Sequence, residues 1–363
     1  MNAGRSDATR GYPAAAPAVA APIDDHQWQN DSVMLPTGVV VPVRATARRR
    51  TWQGLPAVVQ TAIEYAAGSP VVTATTTGTG FTAGFASRLD LADGSACFVK
   101  AASTRDDRLH GWQISSAYRI EARNLRLLPS DVGAIPLSWS LDVDDEDDAW
   151  IVLGFPYIHG HPPRRPWRPR ELRLVTDKLA QVAPALARAP QGLDLEPYDG
   201  DRDQLPAWIA RVLERDGESR WLDAIIGLAG ESVTCTQGTA VAHLDLRDDN
   251  IVLGDDGSVW ICDWNWPMLA APWLDLVTVL IAAYGDGLDT DTALCDHPLT
   301  AALDPRSVDA WLANLWLYLT TRMEGDVPAG SPHLRDHQAW YEDVTRRWLE
   351  QRIGISARVD DHG

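Results

Sequence analysis

The stretch His243-Leu244-Asp245-Leu246-Arg247-Asp248-Asp249-Asn250 restricts what this chain can fold into more than any other part of it. After it come the apolar run Ile251-Val252-Leu253, a turn at Asp255-Asp256-Gly257, and a second apolar run, Val259-Trp260-Ile261-Cys262, that ends on Asp263. Two short apolar runs around an Asp-Gly turn read as a β-hairpin. The pattern is therefore H-x-D-x-x-x-x-N followed by a hairpin with a carboxylate at its far end. With nine His, 39 Asp and six Asn in 363 residues, the triple at that spacing arises by chance roughly 0.02 times, and asking for Asp263 as well lowers this about tenfold.

A hairpin places Asn250 and Asp263 at facing ends, with Asp245 on the loop that leads in. Those groups suit phosphoryl transfer from ATP, in which positioning and charge neutralisation dominate catalysis. The protein must then supply a carboxylate near the attacking hydroxyl and oxygen ligands for Mg²⁺. Asp245 would orient the hydroxyl and accept its proton, and Asn250 and Asp263 would hold the metal with hard oxygens. Each residue taken singly has an ordinary alternative: Asp-rich loops are common, and Asp255-Asp256-Gly257 is a turn.

The rest of the chain reads as two lobes. Residues 1–50 are rich in Ala, Pro and Gly, end in Arg48-Arg49-Arg50 and lack sustained periodicity, so a flexible extension is expected. Leu55, Val58, Val59, Ala62, Ile63 and Ala66 then recur at helical spacing up to Gly68-Ser69-Pro70. Strands are expected at 71–77, 85–91, 97–100, near 135–141 and at 150–155, with a helix over 117–128. Residues 142–148, six of them acidic, would form a solvated hairpin tip, since so many like charges cannot pack together. Amphipathic helices are expected at 170–187, 206–214, 272–284, 305–323 and 333–352, interrupted by a strand-rich insert at 239–263. The result is an α+β chain with an N-lobe over 51–158, a C-lobe over 159–355, a tail at 356–363 and a cleft between the lobes.

The segment 243–263 resembles the catalytic core of the aminoglycoside phosphotransferase and choline kinase-like branch of the protein-kinase-like superfamily, whose members phosphorylate hydroxyls of small molecules. Ala271-Pro272-Trp273-Leu274-Asp275-Leu276 resembles that family's Asp-Leu element at the start of the helix after the metal-binding loop, where the Asp is mainly structural. The resemblance covers about residues 70–350 and implies a protein-kinase-like two-lobed fold, with a small antiparallel β-sheet N-lobe carrying one main helix and a larger, mainly helical C-lobe. It implies that Gly78, Gly80 and Gly84, between two strands, form the loop over the ATP phosphates, that Lys100 is the ATP lysine and that Glu121 pairs with it. It also makes 153–159 the hinge that meets the adenine, with Phe155 and Tyr157 beside the nucleotide.

Arg247 stands where protein kinases often place a Lys that neutralises the transferring phosphate; it could do the same or pair with Asp248 or Asp249. His243 either braces the loop or acts as a base. The spacing G-x-G-x-x-x-G is not the dinucleotide fingerprint, and no Walker A sequence occurs. Trp264-Asn265-Trp266 follows the metal-binding Asp where protein kinases have Phe-Gly, so neither that regulatory switch nor a protein substrate is expected.

Composition narrows the partners. Lys occurs only at positions 100 and 178 against 30 Arg, so a lysine kept at 100 carries information. Thirty-two basic against 50 acidic residues give a net charge of −18, which opposes docking on nucleic acid or anionic membrane and permits a cationic acceptor. No apolar run reaches the length of a membrane helix and no secretory signal pattern is present, so a cytoplasmic location is expected. Cys97, Cys235, Cys262 and Cys295 show no C-x-x-C spacing and are expected to be core thiols.

The acidic stretches 285–291 and 324–326 are candidates to bind ammonium groups. Trp266, Trp273, Trp311, Trp316, Trp340 and Tyr341 are candidates for an aromatic wall, although at helical spacing such residues also build cores. The expectation is an ATP- and Mg²⁺-dependent kinase of a small-molecule hydroxyl, on an aminoglycoside-like or other antibiotic. Choline, ethanolamine or another metabolite is the alternative acceptor, and a non-catalytic nucleotide-binding protein of the same fold is the alternative class. The sequence leaves the oligomeric state open.

Overall fold

The computed structural model describes residues 32–34, 40–42, 46–110, 113–146 and 148–355. Strands β1 (Ser32–Met34) and β2 (Val40–Pro42) form a small antiparallel pair. Helix α1 (Ala57–Ala67) ends at Gly68, whose φ of 79° is the left-handed stop that glycine takes without strain. Strands β3 (Val71–Thr76), β4 (Phe85–Leu91) and β5 (Ala96–Ser103) follow, then helices α2 (Thr104–His110) and α3 (Ile114–Leu127), then β6 (Trp139–Asp145) and β7 (Asp148–Pro156). The five strands make one antiparallel sheet in the order β3-β4-β5-β7-β6.

Because side chains alternate along a strand, the sheet has two differently dressed faces. Phe85, Leu89, Val99 and Val152 pack under Leu55, Val59 and Ile63 at α1. On the other face Leu153 and Phe155 pack against Ile114, Tyr118 and Ala122 of α3. Lys100 is the cross-strand partner of Leu153 and so shares this second face, aimed toward α3 and the cleft.

The C-lobe begins with β8 (Gly160–His161) and helices α4 (Pro169–Leu186), α5 (Leu205–Asp216) and α6 (Arg220–Cys235). Strand β9 (Ala240–Ala242) leads to the hairpin of β10 (Ile251–Gly254) and β11 (Val259–Ile261), and β12 (Met268–Ala270) returns to pair with β9. Helices α7 (Leu274–Gly285), α8 (Thr290–Asp296), α9 (Pro305–Met323) and α10 (Leu334–Ile353) complete it. Its core takes in Trp273, Trp311, Trp316 and Trp340, so four members of the expected aromatic wall are packing residues. Among the described residues no helix is long and apolar enough to cross a membrane.

Several expectations need correction. Helix α6 falls outside the expected set because Gly227 and Gly230 weaken its local signal. Its buried Trp221, Leu222, Ile225, Leu228 and Ala229 nonetheless fall on one face, and Ser219 caps it by accepting from the Leu222 N–H at 3.1 Å. Helix α8 also falls outside the expected set, and only its first two residues belong to the acidic stretch 285–291; the Asp289 carboxylate accepts from the Thr292 N–H at 3.1 Å and starts it. The cysteines are all free and none is fully buried, with Cys295 exposed.

The acidic run is not a solvated tip throughout. Asp142–Asp145 continue β6, Glu146 turns with a φ of 51°, and Asp148 is buried at the start of β7. Its carboxylate accepts from Thr104 Oγ1 at 2.9 Å and from the Arg105 N–H at 3.0 Å, at the N-terminus of α2. There Ser103 and Asp106 also exchange reciprocal hydrogen bonds at 3.1 Å, a capping box. Asp148→Ala is therefore expected to cost about 1–2 kcal/mol in urea unfolding, whereas Asp144→Ala, at an exposed position of the same run, should leave the midpoint in place. Equal effects of the two substitutions would show that Asp148 is only one more surface charge.

Candidate active site

The loop after β9 is held by a carboxylate from another element. Asp275, in the first turn of α7, accepts from the His243 N–H at 2.7 Å and from the Leu244 N–H at 2.8 Å. This fixes a backbone in which Leu244 has a φ of 61°, a conformation that an L-residue adopts only under constraint. Buried His243 sets Nε2 2.8 Å from the Cys262 carbonyl oxygen and places its ring edge-on to Trp264 at 4.9 Å. His243 thus braces the loop against the hairpin, and Asp275 acts as scaffolding by holding two N–H groups at the loop's base.

Asp245 lies on this braced loop with its side chain 39% exposed. Its partial removal from water raises its carboxyl above the ordinary aspartate value and Asp249 and Asp263 add to this, while Arg247 works against it. The Asn250 amide nitrogen donates to the Asp245 carbonyl oxygen at 2.7 Å, which leaves the amide oxygen as the atom free to meet a cation. Across the hairpin the Cys262 N–H donates to the Asn250 carbonyl oxygen at 3.0 Å and sets Asp263 beside it. Asp263 has a φ of 64°, a second constrained position.

Lys100 meets this hairpin from the N-lobe. Its ammonium donates to both carboxylate oxygens of Glu121, at 2.9 and 3.1 Å, and to Asp263. Burial favours neutral Lys100, yet Asp263 and Glu121 outweigh it and hold the ammonium well above its ordinary value. Burial pushes the Glu121 carboxyl up to about 6 against the pull of Lys100. In Asp263 burial acts the same way, but Lys100 prevails and keeps the carboxyl low. The Phe155 ring lies 5.6 Å from the ammonium. Tyr157, past the end of β7, is instead covered by the Arg88 guanidinium at 4.4 Å and is not part of this cluster.

The glycine loop covers these groups. Gly80 has a φ of 79°, and a Cβ at Gly84 would sit 2.8 Å from the Ala101 carbonyl oxygen, so no side chain fits there. Gly78 and Gly80 offer carbonyl oxygens to Thr46, from its N–H at 3.4 Å and its hydroxyl at 2.5 Å. Phe81 seals the loop on the C-lobe: its carbonyl accepts from Ser331, its ring meets His337 edge-on at 4.6 Å, and the Arg247 guanidinium lies over it at 5.3 Å. Arg247 pairs with Asp245 and, through two bonds of 2.9 and 3.0 Å, with Asp249.

Residues 46–50, assigned by composition to a flexible extension, pack across this loop and carry Arg49 into it. The run Arg48-Arg49-Arg50 was the available signal, but nothing local tells a solvated basic run from one that is docked. The acidic stretches expected to bind ammonium groups are already committed. Asp286 accepts from Arg165 at 2.6 and 3.0 Å, Asp291 from Arg352, and Glu324 from Arg211 and Arg215. Of the aromatic candidates only Trp266 is substantially exposed, and Tyr341 donates to Asp248 at 3.3 Å. A separate cavity of about 320 Å³, lined by Asp131, Lys178 and Trp260 among others, contains none of these site residues.

Among the described residues no three His, Cys, Asp or Glu converge as a metal centre. The Asn250 amide oxygen and the Asp263 carboxylate form a two-ligand set of hard oxygens, which fits a magnesium ion that takes its other ligands from phosphate and water.

No protein-family model matches the sequence, and no curated protein matches it. Solved structures do match. The chain is similar to the apo form of a thermostable mutant of aminoglycoside phosphotransferase APH(4)-Ia, with a TM-score of 0.53 and 13% identity over 82% of this chain and 100% of that one. It is similar to choline kinase LicA from Streptococcus pneumoniae, with a TM-score of 0.51 and 13% identity over 79% and 98% of the two chains. It is also similar to amicoumacin kinase hAmiN in complex with AMP-PNP, Ca²⁺ and Ami, with a TM-score of 0.50 and 12% identity over 79% and 93%. At these identities the likeness is one of fold, and the chain has the two-lobed, protein-kinase-like architecture of these structures.

Removing Asp275 strands two N–H groups at the base of the loop, each worth about 1–3 kcal/mol. Asp275→Ala is expected to lower the urea midpoint clearly, and Asp275→Asn, which keeps one acceptor, to lower it less. An unchanged midpoint for both would show that other groups take over these N–H donors.

Proposed function

We propose that this protein is an ATP- and Mg²⁺-dependent phosphotransferase that moves the γ-phosphoryl group to a hydroxyl of a small molecule. The observation that carries this reading is the meeting of Lys100, Glu121, Asp245, Asn250 and Asp263 in one cleft, with Lys100 and Asp263 joined across 163 positions of sequence. The structures of like fold named above include two small-molecule kinases and an aminoglycoside phosphotransferase.

In this reading the braced loop holds Asp245 against the acceptor hydroxyl. The hydroxyl oxygen bonds to the γ-phosphorus, its proton passes to the Asp245 carboxylate, and the bond to the bridging oxygen of ADP breaks. Lys100, oriented by Glu121, faces the phosphates beneath the glycine loop. Arg247 lies beside Asp245 and offsets charge that builds on the transferring group. Asn250 and Asp263 would hold the magnesium, which supplies charge neutralisation between the phosphates. The acceptor class we propose is a hydroxyl-bearing antibiotic of aminoglycoside type. Since Asp286, Asp291 and Glu324 are held by arginines, a cationic group of the acceptor is more readily read by other residues.

A panel of aminoglycosides, choline and ethanolamine, with ADP release as readout, tests the reading. Turnover with at least one acceptor is expected, and Asp245→Asn should lower kcat by about 10²–10⁴-fold with the melting temperature unchanged. Mg-ATP binding without turnover on any acceptor would favour a non-catalytic nucleotide-binding protein instead.

A further inference from the structure

We infer that Arg49, delivered by the segment that precedes the N-lobe, is a ligand of the nucleotide's β- and γ-phosphates. This inference rests on the phosphotransferase reading above.

The segment is tied down on three sides. Thr46 bonds the glycine loop through the Gly78 and Gly80 carbonyl oxygens. The Arg48 N–H donates to the Gly330 carbonyl oxygen of the C-lobe at 2.8 Å. Arg50 donates to Asp106 at 2.6 and 3.0 Å and lies over the Trp150 ring at 5.4 Å, on the N-lobe. Between these anchors the Arg49 guanidinium enters the site. Its Nη1 donates to the Thr77 carbonyl oxygen at 3.0 Å, and a Cβ on Gly80 would meet its Nη2 at 3.1 Å and Asp249 at 3.7 Å.

Three cations face this part of the cleft, and they are satisfied to different degrees. Lys100 is held by Glu121 and Asp263. Arg247 is held by Asp245 and Asp249. Among the described residues Arg49 has a neutral carbonyl as its hydrogen-bond acceptor, and its buried Nε has no partner. A guanidinium does not escape this cost by losing its proton, and an unpaired buried donor is expensive. Asp249 and Asp263 are near enough to pull on the guanidinium, but among the described residues no carboxylate hydrogen-bonds to it, and a triphosphate lying beneath the glycine loop would bring several acceptor oxygens within its reach. A side chain at Gly80 would also come within 3.1 Å of the guanidinium, which would have to shift by a few tenths of an ångström.

Calorimetric titration of the full chain with Mg–AMP-PNP and with AMP tests this. Arg49→Ala should weaken Mg–AMP-PNP by about 10–100-fold, as expected for a lost charge-assisted contact, and leave AMP binding and the melting temperature unchanged. Arg49→Lys should fall between the two proteins, since an ammonium restores charge without the planar fork. Wild type and Arg49→Ala binding Mg–AMP-PNP equally would overturn the inference alone. Tighter binding by Arg49→Ala would also overturn it, by showing that the arginine competes with the nucleotide. A folded wild-type protein that binds no Mg–AMP-PNP would overturn the phosphotransferase reading and this inference with it.

Discussion

One ammonium group shared by two carboxylates ties the molecule together. Lys100 comes from the third strand of the N-lobe sheet, Glu121 from the helix packed on it, and Asp263 from the hairpin of the C-lobe. Buried charges are stable only when paired, and one lysine cannot neutralise two carboxylates. The cluster keeps a residual negative charge, and part of it sits on Asp263, the side chain we propose as a ligand of the magnesium ion. The contact that closes the lobes on each other is thus also one that a bound metal and phosphates would rearrange.

Around that contact the structure spends its buried polar groups on holding backbone. Asp275 fixes the two N–H groups ahead of Asp245, and His243 spans to the Cys262 carbonyl. Asn124, on the same helix as Glu121, donates to the Trp264 carbonyl oxygen at 2.9 Å. The loop bearing Asp245 and the hairpin bearing Asp263 are therefore braced from α7 on one side and α3 on the other. Two of the non-glycine positive-φ residues, Leu244 and Asp263, lie within this brace, where the surrounding hydrogen bonds can hold a conformation that local preference disfavours.

What could be read from the sequence follows the range of the physics that encodes it. Strand β4 and helix α9 were legible to the residue because alternation and helical spacing are local. The Asp245–Asn250–Asp263 set was legible because a hairpin converts short sequence spacing into proximity. Lys100 was marked by the scarcity of lysine, but its pairing with Glu121 was reached only through the family resemblance, since nothing local joins a strand to a helix 21 positions on. Residues 46–50 were illegible: their packing depends on Gly78, Gly80 and Gly330, partners 28 or more positions away. Asp148 misled for the same reason, because an acidic run looks solvated until Thr104 and Arg105 are known to lie against one end of it.

The chain's habit of using arginine gives a last constraint. Arginine offers a planar fork that suits a single carboxylate approached side-on, and that is how Arg165 meets Asp286 and how Arg247 meets Asp249. At position 100 the geometry differs: Glu121 presents two oxygens from one element while Asp263 presents one from another. A compact ammonium with three donors can satisfy partners arriving from separate directions, and a flat guanidinium cannot do so without displacing one of them. The same logic suits the fork at Arg49 to the phosphate role proposed for it: Nη1 bonds the Thr77 carbonyl oxygen, and among the described residues no carboxylate is hydrogen-bonded to its remaining donors. The distribution of the two cation types in the cleft therefore follows from the shape of what each one must hold, and the scarcity of lysine elsewhere marks the place where that shape is different.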